Sequence, residues 1–292
     1  MSLQAGSIAA RDAAAILHPM VNPGVIEDRG ALMIERGKGV YVWDNTGKQY
    51  IEGLAGLWST ALGYGNEEIA QVAYDQICKM SFTHMFNGKS HETAMLLAER
   101  LKAMVPVENA SKVFFGCSGS DANDTQVKLI WFYNNAMGRP KKKKIIGRVK
   151  GYHGITIAAG SLTGLAPMHN QWDLPLEGGR FIHTDCPHHY RFAEKGESEE
   201  DFATRLANNL EQLILREGPD TVAAFIAEPV MAAGGVLVPP RTYFQKIQAV
   251  LAKYDVLFIA DEVVTGFGRT GNPFATDTFD LKPDTMTLAK AL

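Results

Sequence analysis

Short apolar runs alternate with helix-like segments from about residue 66 onward in this 292-residue chain. The runs at 145–149, 222–228 and 256–263 are apolar along most of their length. A strand that is apolar on both faces is buried on both faces, which is typical of a parallel sheet covered by helices. The pattern predicts an α/β fold with a mostly parallel central sheet flanked by helices. Ligands of such sheets bind at the carboxyl ends of the strands.

Helix signals lie between the apolar runs. Asn66 and Ser90 are predicted N-caps of helices whose apolar residues recur at helical spacing, and Ser198 opens a capping-box pattern. Residues 112–116 are predicted to add a strand to the sheet. We therefore interpret residues 66–292 as one large domain.

The N-terminal region, residues 1–65, has a different pattern. Residues 1–30 are predicted to be irregular, and short strands are expected at 32–35, 40–44 and 49–52 around glycine-containing turns. This arrangement indicates a small antiparallel meander within a small α+β region.

Composition excludes several classes of function. A net charge of -3 and an isoelectric point of about 6.2 leave no basic surface for nucleic acid. The lysine run at 141–144 is interpreted as a solvated surface run that compensates a helix dipole. The sequence has no apolar stretch long enough to span a bilayer and no signal-peptide pattern at its start. Three widely spaced cysteines suit a reducing compartment, so a cytoplasmic location is predicted.

Two residues carry the strongest chemical signal. Lys290 lies downstream of the apolar run at 256–263, and that run contains Asp261. A lysine amine forms a Schiff base with a carbonyl group, and a carboxylate at the end of a buried strand can hold a proton on a pyridine nitrogen. This pair is the minimum requirement for chemistry with pyridoxal phosphate.

Asp261 is adjacent to a second carboxylate, Glu262. Successive strand residues point to opposite faces, so only one of the two faces a given ligand. We favour Asp261, because it would share a face with Ile259 and with Val263, which can pack on the ring of the ligand. A cap of a helix or loop is the alternative for Asp261. Glu228 is another carboxylate at the end of an apolar run.

A small-residue loop, Ser118-Gly119-Ser120, opens the helix expected after residue 120. Its backbone can approach an anion closely, with amide groups at a helix N-terminus and two hydroxyl groups to donate. The alternative is a tight turn closed by a serine or aspartate cap.

Tyr152 lies in Gly151-Tyr-His-Gly154, directly after another apolar run. It can stack on an aromatic cofactor, and the alternative is an ordinary aromatic residue packed under a loop. His153 is open to a catalytic or a structural interpretation. Metal-ligating residue types cluster between residues 183 and 189, but their spacing matches no zinc pattern, so no metal site is predicted.

Together these stretches resemble one family. They are Ser-Gly-Ser-Asp-Ala-Asn-Asp (118–124), Gly-Tyr-His-Gly (151–154), Ala-Glu-Pro (227–229), Asp-Glu-Val-Val-Thr-Gly-Phe-Gly-Arg-Thr-Gly (261–271) and Thr-Leu-Ala-Lys (287–290). Their order is that of the class III aminotransferases, and the chain most resembles the ω-amine:pyruvate transaminases. The resemblance implies the large domain of a fold type I enzyme with pyridoxal 5'-phosphate as its cofactor.

The resemblance also implies a role for each motif residue. The residues assigned to the cofactor are Ser118, Gly119 and Ser120 at the phosphate, Tyr152 and Val263 on the two ring faces, Asp261 at the pyridine nitrogen, Lys290 as the Schiff-base lysine, and Glu228. Trp58 and Tyr152 are assigned to the substrate. A core tryptophan of the small domain is the alternative for Trp58.

The sequence departs from the family in two respects. Asp121 stands where the family usually has glutamate. The family also continues past its lysine, with a threonine that reaches the phosphate of the partner subunit and a C-terminal domain that often carries an arginine for the substrate carboxylate. We therefore expect this sequence to be part of a longer chain, without its C-terminal domain.

The implied reaction moves an amino group from a primary amine or ω-amino acid to a keto acid, with pyruvate as the expected acceptor. A decarboxylase or an aminomutase of the same family is the first alternative. A non-catalytic binding relative is the second, and the presence of both Lys290 and Asp261 argues against it.

The resemblance predicts a homodimer or a dimer of dimers. The loop 118–120 offers donors to a phosphate dianion from one side only, so a partner subunit is expected to supply another contact. Met85 and Phe86 are the candidates for reaching across the interface. Sedimentation of the full-length protein should give a dimer or a dimer of dimers that retains the cofactor. A stable and fully active monomer would contradict this prediction.

Overall fold

The computed structural model describes residues 3–292, which divide into two compact units, one up to Thr83 and one over His84–Leu292. The elements of the first unit are helices α1 (Ile8–Ala15), α2 (Pro23–Arg29), α3 (Ala55–Trp58) and α4 (Glu67–Lys79) and strands β1 (Ile34–Lys38), β2 (Tyr41–Asp44) and β3 (Gln49–Ile51). The three strands pair in the order β1-β2-β3, and both pairings are antiparallel. The predicted meander is therefore confirmed.

The first 30 residues are more regular than the sequence analysis predicts. Both α1 and α2 lie within them, and each begins at a polar N-cap. The Ser7 side chain accepts a hydrogen bond from Ala10, and Asn22 accepts one from Gly24 directly before Pro23 at the first helical position. Such caps satisfy backbone groups that a short helix leaves without partners.

The second unit is built on a parallel sheet. Its strands are β4 (Lys144–Arg148), β5 (Phe181–Thr184), β6 (Val222–Ala227), β7 (Leu257–Asp261) and β8 (Thr285–Thr287), in the order β5-β4-β6-β7-β8. All four pairings are parallel. Its helices are α5 (Glu92–Met104), α6 (Gly119–Ala136), α7 (Ile157–Leu162), α8 (His189–Phe192), α9 (Glu199–Glu217), α10 (Tyr243–Lys253) and α11 (Ala275–Thr278). The predicted parallel α/β architecture is confirmed.

Helices cover both faces of this sheet. On one face, α9 and α10 pack against side chains such as Ile146, Phe225 and Phe258. On the other face, α6 and α7 pack against neighbouring strand residues such as Ile145 and Ile259. Adjacent residues of one strand thus enter different cores, which explains why these strands are apolar throughout.

Three local predictions were wrong. In the described chain, residues 112–116 form no strand, because their backbone has no paired strand neighbour. Strand β7 ends at Asp261, so Val263 lies in the following turn. Val263 therefore does not share a strand face with Asp261, contrary to the prediction from the sequence. Helix α5 is capped by His91, whose ring accepts from Ala94, instead of by Ser90.

The lysine run at 141–144 is only partly a solvated surface. The Lys142 side chain is buried, and its ammonium group lies 3.0 Å from Oδ2 of Asp255. Lys144 pairs with Glu217 at 2.8 Å. Lys143 donates to the carbonyl of Trp131 in the last turns of α6, as expected of a cation at a helix C-terminus. The run therefore joins the start of β4 to α6, to α9 and to the turn before β7.

Removing packing from α9 should destabilise the second unit. Leu210 is fully buried in the core between α9 and the sheet. We expect Leu210→Ala to lower the free energy of unfolding by about 2–5 kcal/mol, because it removes apolar contacts and leaves a cavity. Chemical denaturation followed by circular dichroism measures this change. Leu215→Ala on the same helix is the matched control, since Leu215 is 46% exposed. An equal loss of unfolding free energy in both variants would contradict the placement of Leu210 in the core.

Candidate active site

Asp261 lies at the carboxyl end of β7 with only 3% of its surface exposed. Its Oδ2 accepts a hydrogen bond from Nδ2 of Asn123 (2.9 Å) and lies 2.8 Å from Nδ1 of His153. Its Oδ1 accepts from the backbone amide of Val263 (3.1 Å). Since a carboxylate is an acceptor only, Nδ1 of His153 carries the proton of that contact. A buried carboxylate needs such donors, because burial without them is costly.

Asn123 also belongs to the site, although no sequence pattern singled it out. This side chain, buried in α6, also donates to the carbonyl of His153 (2.7 Å) and accepts from the hydroxyl of Thr287 in β8 (2.8 Å). It therefore joins α6, the loop after β4, β7 and β8 at one point. Asn123 lies within the motif at 118–124, which was the available signal, but its partners are distant in the sequence.

Glu262 has a different task from its neighbour. It is fully buried, and its Oε1 accepts from both the amide and the hydroxyl of Thr276. Its Oε2 accepts from the hydroxyl of Thr265. The two adjacent carboxylates are thus separated by function, since Glu262 holds the loop after β7 and Asp261 faces Asn123 and His153.

The small-residue loop begins α6 and makes the serine cap that was the alternative to a phosphate-binding loop. The Ser118 hydroxyl accepts from the amide of Asp121 (3.1 Å), and the Asp121 carboxylate accepts from the amide of Cys117 (2.9 Å). The amides of Gly119 and Ser120 belong to the first helical turn and have no acceptor within the helix. The cap and the proposed anion site therefore use different groups of the same loop.

Close packing brings this loop together with two other loops. A Cβ atom on Gly119 would lie 2.9 Å from Cγ2 of Val263, and one on Gly154 would lie 2.5 Å from Oγ of Ser120. Only glycine fits at these two positions, since real Cβ contacts are longer. The loops after β4 and β7 thus both reach the N-terminus of α6.

Glu228 follows β6 and supports the loop that carries Tyr152. Its Oε1 accepts from the amide of Tyr152 (2.9 Å), and its Oε2 accepts from the amide of Ala232 (3.0 Å). Burial raises the pKa of the Glu228 carboxyl group. Burial, together with the charges of Asp261 and Glu228, raises the pKa of the Tyr152 hydroxyl group. The Tyr152 side chain is therefore neutral and close to both carboxylates.

Lys290 lies three residues beyond β8 and is half-buried, with a left-handed φ of 55°. Burial lowers the pKa of its amine, while the carboxylates of Asp261 and Glu228 act in the opposite direction. The pairing of Asp261 with Thr287 in the sheet brings the segment that carries Lys290 to the edge where Asp261 lies. A lysine with a lowered pKa is a better nucleophile and a better base at neutral pH.

Trp58 belongs to the N-terminal unit, where it ends the one-turn element α3. The other predicted site residues all belong to the second unit. Among residues 3–292, no group of three or more histidine, cysteine, aspartate or glutamate side chains is arranged to hold a metal ion. No helix in that range is long and apolar enough to cross a membrane.

Comparison with known proteins places this arrangement in a family. The sequence model of the family Aminotransferase class-III matches residues 25–292. The chain belongs to this family. The cofactor of class III aminotransferases is pyridoxal phosphate, and the α/β fold with its parallel sheet is that of the fold type I transaminases.

Individual relatives agree with the family. The probable gamma-aminobutyrate transaminase 2, mitochondrial, of Oryza sativa subsp. indica is 57% identical over 265 residues, which cover 91% of this chain and 53% of that protein. The omega transaminase from Pseudomonas jessenii in complex with PMP is 56% identical, with a TM-score of 0.95 over 97% of this chain and 62% of that one. A thermostable omega transaminase variant W58G, engineered for asymmetric synthesis of enantiopure bulky amines, has the same identity and TM-score and covers 97% of this chain and 63% of that one. The chain spans about half the length of the curated relatives it matches.

The residues of the second unit fit pyridoxal phosphate. Asp261 is a buried carboxylate whose hydrogen-bonding partners are an amide side chain, an imidazole and a backbone amide, which suits a pyridinium nitrogen as the cation. The first turn of α6 offers backbone amides to a phosphate. Burial lowers the pKa of Lys290, which favours the neutral amine that attacks an aldehyde.

The pKa of Lys290 can be tested by chemical labelling. Burial lowers the pKa of Lys290, whereas the exposed Lys282 has its pKa raised by its hydrogen bond to Asp280. In full-length protein stripped of cofactor, Lys290 should therefore react with an amine-acylating reagent from a lower pH than Lys282. In Asp261→Asn the pH midpoint for acylation of Lys290 should fall further, because a carboxylate that stabilises the ammonium form of Lys290 is gone. Mass spectrometry of the labelled peptides measures both midpoints, and a midpoint for Lys290 at or above that of Lys282 would refute the assignment.

Proposed function

We propose that the full-length protein is a pyridoxal-phosphate-dependent aminotransferase of the ω-transaminase type. It moves the amino group of a primary amine or ω-amino acid to a keto acid, and pyruvate is the acceptor that we expect. The observation that carries the proposal is the convergence of the Asp261 carboxylate, held by Asn123 and His153, with the amine of Lys290, whose pKa is lowered.

The roles of the residues follow from their positions. Bound pyridoxal phosphate supplies a ring that accepts an electron pair from the substrate carbon. Lys290 would hold the cofactor through Nζ, and its neutral amine would accept a proton from the substrate carbon. Asp261 would hold a proton at the ring nitrogen, and its carboxylate is oriented for this by Asn123, His153 and the amide of Val263. His153 and Asn123 are positioning residues, since they act through Asp261.

The remaining assignments concern binding. Ser118, Gly119 and Ser120 would hold the phosphate, and Tyr152 and Val263, which packs against Gly119, would lie against the ring. Glu228 acts through the backbone of Tyr152, which it holds in place. These contacts hold the loops in place and would position a bound cofactor for reaction with the amine of Lys290.

The substrate class is proposed from the relatives and from Trp58. Curated relatives are named gamma-aminobutyrate transaminases, which supports a donor whose amino group is distant from its carboxylate. The W58G variant for bulky amines supports a role for the tryptophan at position 58 in limiting the size of the donor. We propose that Trp58 of this chain contacts the amine substrate.

The oligomeric state, the domain boundaries and the cellular location of the protein are further proposals. We propose a homodimer or a dimer of dimers, because a phosphate dianion needs more donors than the first turn of α6 provides. We also retain the division into an N-terminal region (1–65) and a cofactor-binding domain (66–292). A cytoplasmic location stays a prediction, and similar proteins are named mitochondrial or chloroplastic.

The reaction class is tested by product analysis. Full-length protein incubated with an ω-amino acid and pyruvate should form alanine and the aldehyde acid in equal amounts. Borohydride reduction of the resting enzyme, followed by peptide mapping, should place the cofactor on Lys290. Release of carbon dioxide would indicate a decarboxylase, and an isomerised amine without alanine would indicate an aminomutase. Cofactor on another lysine would refute the central assignment.

Asp261→Asn should separate cofactor binding from catalysis. The variant keeps the shape of the site but loses the charge that holds the proton on the ring nitrogen. We expect bound cofactor to remain while kcat falls at least ~100-fold, equivalent to about 3 kcal/mol in the barrier. Absorbance of the bound cofactor and steady-state kinetics measure the two effects. Asp280→Asn is the control at an exposed aspartate of the same unit, and turnover near normal in Asp261→Asn would mean that another group protonates the ring.

A further inference from the structure

The segment that ends in Trp58 has an unusual backbone. Ala55, Gly56, Leu57 and Trp58 have φ angles of 50°, 56°, 60° and 65°, and ψ is 45° at Gly56 and 47° at Leu57. These values define one turn of left-handed helix. Such a turn is disfavoured for L-residues, because Cβ crowds the following carbonyl oxygen. Three of these residues carry a Cβ atom, so contacts elsewhere must hold the turn in this conformation.

The Glu52 carboxylate makes those contacts. Its Oε1 accepts from the amide of Leu54 (3.1 Å), and its Oε2 accepts from the amide of Gly56. Both amides lie at the start of the left-handed turn, where helical backbone amides have no acceptor of their own. Glu52 directly follows β3, and its own amide donates to the carbonyl of Val40 (2.9 Å). One carboxylate thus ties the turn to the three-stranded sheet.

Tyr64 completes the anchor from the other side. Its hydroxyl donates to Oε2 of Glu52 (3.2 Å), and its backbone pairs with Gly39 through two hydrogen bonds of 2.9 Å. The ring of Tyr64 lies against Gly37, where an added Cβ would come within 2.6 Å of it. Glu52 is therefore fixed by the sheet on one side and by Tyr64 on the other.

We propose that Glu52 is a positioning residue that sets the amine specificity of the enzyme by holding Trp58 in the left-handed turn. The inference rests on the proposed function, in which Trp58 contacts the amine. Without the carboxylate, two amides and one hydroxyl lose their acceptor, and the turn relaxes toward ordinary backbone angles. The Trp58 side chain then leaves its position, and the enzyme admits bulkier amines at the expense of small ones.

The test compares Glu52→Ala, Trp58→Ala and the double variant of the full-length enzyme. The measured quantity is the ratio of kcat/KM for a bulky arylalkylamine to that for a small aliphatic amine, with pyruvate as acceptor. We expect each single variant to raise the ratio about tenfold and the double variant to raise it no more than Trp58→Ala alone, because both act through one side chain. Glu52→Gln keeps one acceptor oxygen and should lie between wild type and Glu52→Ala. Glu35→Ala, at an exposed glutamate of β1, should change nothing.

A second measurement is independent of activity. Hydrogen–deuterium exchange of the peptide spanning residues 53–60 should accelerate at least tenfold in Glu52→Ala and stay unchanged in Glu35→Ala. Additive effects of Glu52→Ala and Trp58→Ala on the ratio, or unchanged exchange in Glu52→Ala, would overturn the role of Glu52 and leave the proposed role of Trp58 intact. An unchanged specificity ratio in Trp58→Ala would overturn the proposed role of Trp58 and the inference with it.

Discussion

The buried carboxylate of Asp261 is the interaction on which the site depends. A carboxylate with 3% exposure is costly unless donors meet it, and its donors come from α6, from the loop after β4 and from the turn after β7. Asn123 extends the network to Thr287 in β8. Each element is therefore held in register with the others by the need to satisfy one charge. The Asp261 carboxylate also acts electrostatically on the amine of Lys290, so the group that joins these elements is central to the proposed chemistry as well.

Other buried acids in the second unit have supporting roles. Glu228 and Glu262 direct their carboxylate oxygens to backbone amides and hydroxyl groups of nearby loops. They hold Tyr152 and the loop after β7 in place, as the second layer of a rigid site must. Burial raises the pKa of Glu228, so the loops are supported by a group whose ionisation is costly.

The N-terminal unit applies the same principle to an exposed segment. There the Glu52 carboxylate accepts from the amide of Gly56 in a left-handed turn and from the amide of Leu54 directly before it. L-residues disfavour such a turn without supporting contacts. In both units a carboxylate from the end of a strand fixes a loop that carries a proposed site residue. Functional residues are commonly carried by loops that a rigid scaffold positions in this way.

Sequence alone determined the parallel α/β class and the meander, because apolar periodicity is a local signal. The roles of the motif residues from Ser118 to Lys290 rest on the family resemblance and stay proposals. It failed at 112–116, where strand formation depends on a paired neighbour that the residues themselves do not specify. Asn123 was missed because its contact with Asp261 spans 138 positions, and local patterns carry no information on such pairs. The sequence favoured Asp261 over Glu262, but only the tertiary structure showed the partners of each carboxylate and the left-handed turn that includes Trp58. Local periodicity decides which segments are buried, but the folded chain decides which buried polar groups meet, because each must find a partner once water is excluded.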